Sequence, residues 1–135
     1  FTAEEYQNYT EQGRSVLPGY YDIALDGRRE TVSYGTEIRI NHASIEGIPI
    51  KGILDRVDVF RDYVEVTDYK TGKYGKDKVE GAGEEGNPGS DYWRQMVFYK
   101  LLLDNQSQYD WKMTTGFVDF VESAADGAYK KTFLS

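Results

Sequence analysis

Two aspartates and a lysine carry the most suggestive chemistry in this chain. Asp55 lies in Gly52-Ile53-Leu54-Asp55-Arg56-Val57-Asp58, and Asp68 and Lys70 lie in Asp68-Tyr69-Lys70-Thr71-Gly72. Between them runs an alternating pattern that predicts two strands around a tight turn at Arg61-Asp62. Residues two apart on a strand share a face. Ile53, Asp55, Val57 and Val59 are expected on one face of the first strand, and Val64, Val66, Asp68 and Lys70 on the matching face of the second. A turn centred on Arg61-Asp62 sets Phe60 against Tyr63 and Asp55 against Asp68. Directly opposed residues have Cβ atoms roughly 5 Å apart. Two carboxylates so close repel, and one is driven towards protonation unless a cation joins them. A hard cation such as Mg2+ takes oxygen ligands, commonly one or two carboxylates plus substrate phosphate. Lys70 would stand beside it, able to orient or deprotonate a water or to stabilise charge developing on phosphorus. The plain alternative is an acidic hairpin with solvated charges. The aliphatic face, the register and the spacing agree on a site, although a slip of one residue would put the two aspartates on opposite faces.

The elements that must hold these residues can be read around the hairpin. Thr2 followed by Glu5 is a capping-box signature. Tyr6, Tyr9, Gly13, Val16 and Tyr20 then share one helical face, with Pro18-Gly19 expected to bend or end the helix. Thr31–Ile40 reads as a strand, and the next begins at Ser44, broken or bulged at Gly47-Ile48-Pro49. His42, the only histidine, falls between them and reads as an exposed turn residue. Arg56 and Asp58 face away from Asp55 and are expected to pair structurally. Tyr92–Leu103 is apolar nearly all round, which predicts a helix buried on most sides, with Gln95 and Tyr99 four apart on one face. A glutamine in such a helix needs a partner: the metal water, a phosphate, Lys70, or core backbone. Trp111–Glu122 reads as a strand, Ala125-Asp126-Gly127 as a hairpin turn, and Tyr129–Leu134 as a returning strand.

The blocks G-x-x-D-R-x-D at Gly52–Asp58, D-Y-K-T-G at Asp68–Gly72 and Q-x-x-x-Y at Gln95–Tyr99 together resemble the RecB-like branch of the PD-(D/E)XK nucleases. More narrowly, they are similar to the nuclease domain at the C-terminus of UvrD/Rep-type ATP-dependent DNA helicases. The resemblance spans Glu4 to Val121. It implies an α/β (α+β) domain with a restriction-endonuclease-like core, a mixed central sheet flanked by helices in the order αβββαβ. It also implies Mg2+- or Mn2+-dependent hydrolysis of DNA, in repair or recombination. Asp55, Asp68 and the backbone carbonyl of Tyr69 are then the metal ligands, with Glu37 as an acidic helper from the first strand. Lys70 and Gln95 assist catalysis, and Gln95 and Tyr99, with Lys73 and Lys76, contact DNA. The implied partners are DNA and helicase domains of the same polypeptide or complex. A domain that binds DNA or docks a subunit without turnover is the first alternative. A β-rich interaction module with accidental motifs is the second.

Composition narrows the classes. The chain has 135 residues, enough for one domain with a real core, and it is read as a single domain over 1–135. Aromatic residues make up 15%, which argues against disorder. A net charge of −7 gives no support to general attraction for nucleic acid, so any DNA contact must come from a local groove. There is no cysteine, which excludes disulfides and cysteine-held zinc or iron–sulfur sites and suits the cytoplasm. No apolar run approaches the length of a membrane span. The segment Thr71–Asp91 contains six glycines and Pro88, and reads as a long irregular loop with lysines in its first half and glutamates in its second. The first residue is Phe1, so the chain is expected to be a fragment of a larger helicase–nuclease. The related nucleases commonly carry a histidine on a helix before the first strand, and Thr2–Tyr20 contains none.

Overall fold

The computed structural model describes residues 2–26, 33–75, 81, 89–122 and 131–134. Helix α1 runs Ala3–Asp26 and is capped as its sequence predicts. The Thr2 main-chain N–H donates to Glu5 Oε2 at 2.7 Å, and the Glu5 N–H donates to Thr2 Oγ1 at 3.1 Å. Pro18 neither ends the helix nor interrupts it, contrary to expectation. Proline removes one intrahelical donor, but the turns beyond it are held by tertiary contact. The Tyr20 hydroxyl donates to Asp119 Oδ2 at 2.9 Å.

Strand β1 (Ser33–Ile45) pairs antiparallel with β2 (Ile48–Val59). The turn between them is Glu46-Gly47, both at positive φ (52° and 81°), as a two-residue hairpin loop of primed type demands. The break therefore lies at Glu46-Gly47 and not at Asn41–Ala43, and Pro49 is paired with Ser44 inside β2. His42 is an exposed strand residue, not a turn residue, and sits where the register shifts between Ile40 and Ala43. Strand β3 (Val64–Lys73) pairs antiparallel with β2, and the Phe60 N–H donates to the Tyr63 carbonyl at 2.9 Å across the turn.

Helix α2 (Asp91–Asp104) then crosses over to β4 (Met113–Glu122), which lies parallel to β3. Strand β5 (Lys131–Leu134) returns antiparallel to β4. The hairpin turn expected at Ala125–Gly127 lies outside the described residues. Among the described residues the result is a five-stranded mixed sheet in the order β1-β2-β3-β4-β5, an α/β (α+β) domain of the expected class.

The core lies between the sheet and α2. It joins Ile40, Leu54, Val57, Val66, Val118 and Phe120 to Met96, Tyr99, Leu102 and Leu103. Two glycines let α2 lie close on the strands. A Cβ on Gly52 would stand 2.9 Å from Leu102, and one on Gly116 would stand 2.6 Å from the Met96 sulfur. Helix α2 is buried along one stripe rather than on most sides. Val97, Phe98 and Leu101 are exposed, because the sheet covers only the side bearing Met96 and Tyr99. Asp119 and Val121 alternate with buried Val118 and Phe120. Their contacts with Tyr20 and its neighbours put α1 on the opposite face of the sheet.

Candidate active site

The site forms at a fork, where β3 parts from β2 while the β1–β2 ladder drops a single pair and continues. The β1–β2 pairs include Thr36 with Arg56 and Ile38 with Leu54 but omit Glu37 and Asp55. The β2–β3 ladder ends at Arg56 with Thr67. One further step in that register sets Asp55 opposite Asp68, the arrangement the alternation predicts. In place of a ladder bond, the Asp55 carboxylate accepts the Tyr69 main-chain N–H at 2.9 Å. Glu37, across from Asp55, has a left-handed φ of 50°, which is strained for a residue with a Cβ. The alternation breaks at this point. Leu54 and Val57, three residues apart, both enter the core, while Ile53 is 45% exposed. Leu54, not Ile53, thus supplies the apolar lining.

Asp68 is buried. Its Oδ1 accepts a hydrogen bond from the Tyr99 hydroxyl at 3.1 Å, and Lys70 Nζ lies 2.6 Å from its Oδ2. That contact is close but badly aligned, and Oδ2 has no hydrogen-bond partner. Lys70 Nζ also donates to Gln95 Oε1 at 2.8 Å and stands 4.5 Å from the centroid of the Tyr92 ring. Gln95 Nε2 donates to the Tyr99 hydroxyl at 2.8 Å. Asp68, Lys70, Gln95 and Tyr99 therefore close a ring of four side chains. Burial pushes the Asp68 carboxyl above the usual carboxylate range, with help from Asp55, while Lys70 and Tyr99 pull it back only in part. Burial and the neighbouring Asp68 push the Tyr99 phenol up, so it stays a donor to that carboxylate.

Of the residues singled out from sequence, Asp55, Asp68, Lys70, Gln95 and Tyr99 come together. Gln95 meets Lys70, one of the partners considered for it. Tyr99 is not placed as a DNA contact. It is 6% exposed and its hydroxyl is spent on Asp68, because its position on α2 faces the core. Glu37 is exposed, and among the described residues no three His, Cys, Asp or Glu side chains form a group that could hold a metal. Lys73 ends β3 in register with Glu122, and Lys76 lies outside the described residues. Sequence reasoning missed two participants. Tyr92 was recoverable, since it lies three residues before Gln95 on α2. The Tyr69 N–H was not, since its role depends on the ladder ending at Arg56.

The donor set suits a hard divalent cation. Two carboxylates approach, and the buried Asp68 Oδ2 lacks a hydrogen-bond partner. Residues 2–131 match the PD-(D/E)XK nuclease superfamily. The chain belongs to that superfamily. A search of curated proteins found no match. The sequence at this point reads Asp68-Tyr69-Lys70, with Asp55 preceded by Leu54. PD-(D/E)XK proteins are generally nucleases and typically use divalent metal ions. No helix among the described residues is long and apolar enough to cross a membrane.

Proposed function

We propose that this domain is a Mg2+- or Mn2+-dependent deoxyribonuclease, working as the nuclease part of an ATP-dependent DNA helicase in cytoplasmic DNA repair or recombination. The observation that supports the chemistry is the buried Asp68 carboxylate beside Asp55, with the Lys70 ammonium 2.6 Å from Oδ2 but not aligned as a hydrogen bond. Asp55, Asp68 and the Tyr69 carbonyl would hold the cation. When bound, such an ion supplies Lewis acidity towards phosphate oxygen and lowers the pKa of a water. Lys70 has three ammonium donors; Gln95 takes one and the ammonium lies against Asp68, so donor capacity remains for the attacking water or the phosphate. Gln95 and Tyr99 keep Lys70 and Asp68 in place, so little reorganisation is needed at the moment of reaction. Lys73 and Lys76 are the proposed phosphate contacts, of the kind that dominate non-specific affinity. The helicase setting rests on the likeness of the three motif blocks to nuclease domains of UvrD/Rep-type enzymes.

The test is cleavage of labelled single- and double-stranded DNA with Mg2+ or Mn2+. The wild-type protein should cut and Asp68→Ala should not; an inert wild type with both metals would sink the reading. A second reading, a domain that binds DNA or docks a subunit without turnover, has one observation in its favour. Among the described residues only two carboxylates approach the fork, with no third acid or histidine grouped beside them. It predicts DNA binding without cleavage in the same assay.

A further inference from the structure

Asp55 is paired in neither of the ladders that flank β2. What aims its carboxylate must be the groups that anchor its neighbours. On one side is Tyr69, whose N–H donates to Asp55 Oδ2 at 2.9 Å. On the other is Arg56, the first laddered residue after the gap. The Arg56 guanidinium grips Asp58, with Nε 3.2 and 3.0 Å from its two oxygens and Nη2 2.8 Å from Oδ1. Its Cζ lies 4.4 Å from the centroid of the Tyr34 ring on β1. Arg56 pairs with Thr36 and Thr67, so Tyr34 and Tyr69 are diagonal neighbours on its own face. One side chain thereby bridges β2 to β1 and neighbours Tyr69 on β3, on the face turned away from Asp68. Asp55 is thus flanked by Tyr69, whose main chain holds its carboxylate, and by Arg56, its chain neighbour, whose side chain shares a face with the Tyr69 ring.

We infer that Arg56 is the positioning residue for Asp55, and that it sets the affinity of the fork for a divalent cation through Tyr69. The inference rests on the metal-site reading proposed above. Only a planar, multi-donor cation grips a carboxylate with two nitrogens while stacking on a ring, so lysine cannot replace it. Groups that orient metal ligands without touching the metal typically change affinity by about 10–100-fold.

The experiment is calorimetric titration of Mn2+ alone into wild type, Arg56→Lys, Arg56→Ala and Tyr69→Phe, with thermal unfolding of each. Both Arg56 variants should weaken Mn2+ binding by about tenfold or more, and Tyr69→Phe should shift it less in the same direction. Their cleavage should recover at higher Mn2+, as a changed half-saturation rather than a changed maximal rate. Tyr20→Phe loses the bond to Asp119 on the same sheet face; it should lower the unfolding temperature and leave Mn2+ affinity alone. A folded Arg56→Lys with wild-type affinity overturns the inference. Should the Arg56 variants fail to fold, Tyr69→Phe decides by the same criterion, since it removes one oxygen only. Folded wild type with no Mn2+ affinity overturns the metal-site reading itself, and this inference with it.

Discussion

Each face of the β2–β3 hairpin carries a cation paired with an aspartate, and the two pairs are built differently. On the α1 face, Arg56 meets Asp58 through three hydrogen bonds, with side-chain exposures of 21% and 14%. On the α2 face, Lys70 lies closer to Asp68, at 2.6 Å, yet Asp68 is only 4% exposed and one of its oxygens is left without a hydrogen bond. A partly solvated, fully bonded pair costs little and adds registry. A buried charge with an unfilled acceptor costs free energy unless something completes it. The contrast is between the two ion pairs: the one that ties strands together is bonded through both carboxylate oxygens, and the one beside Asp55 is not.

The contrast breaks most visibly at Asp68. Mn2+ or Mg2+ should raise the unfolding temperature of the wild-type protein by mass action, and Asp68→Ala should erase that gain. Loss of a ligand should cost more than the roughly hundredfold upper range for an orienting group. Equal metal affinity in wild type and variant, measured by calorimetry, would remove Asp68 from the metal site. Lys70→Ala separates binding from chemistry. An ammonium has no lone pair to give a metal, so the variant should bind Mn2+ and DNA while its cleavage rate falls about 10²–10⁴-fold. Cleavage at the wild-type rate would deny Lys70 a catalytic part. A smaller effect is expected from Tyr99→Phe, which takes the hydroxyl from Asp68 Oδ1 and from Gln95 Nε2 together. Leaving buried polar groups without partners costs about 1–3 kcal/mol, read from denaturant unfolding. Mn2+ affinity should fall with it; an unchanged affinity would reduce Tyr99 to a packing residue.

How much of this was legible in the sequence depends on whether the signal was local. The hairpin was, because strand alternation and the turn at Arg61-Asp62 fix a register on their own, and Phe60 does meet Tyr63. The capping box of α1 was legible for the same reason. The break in alternation at Asp55 was not, since it arises with the left-handed backbone of Glu37 on the neighbouring strand. Nor was the passage of α1 through Pro18, where a tyrosine two residues on finds Asp119 from a strand 99 positions away. The exposed outer side of α2 was hidden by composition: Val97, Phe98 and Leu101 read as core, and only the position of the sheet shows which side is covered. Gln95 and Tyr99 announced a shared face by their spacing, but only the fold shows that their hydroxyl and amide are spent on Asp68 and Lys70.

The subtlest consequence of burying Asp68 is a dependence of stability on pH. Burial, reinforced by Asp55, raises the Asp68 carboxyl above its ordinary value. A carboxylic acid whose folded value is raised binds its proton more tightly when folded than when unfolded. Its contribution to stability is therefore full below the unfolded value, about 3.9, and is lost as pH rises through the raised folded value. This is opposite in sign to the usual paired carboxylate, whose contribution is lost on acidification. In the metal-free protein, the stability difference between wild type and Asp68→Asn should thus drift against wild type as pH climbs out of the acid range. Divalent cation should reverse the drift, since it binds the deprotonated carboxylate and competes with the proton. The measurement is denaturant unfolding of both proteins at several pH values, with chelator and then with Mn2+. A difference that stays flat with pH in chelator would mean that burial does not hold the Asp68 proton, and the argument for an incomplete site there would fall.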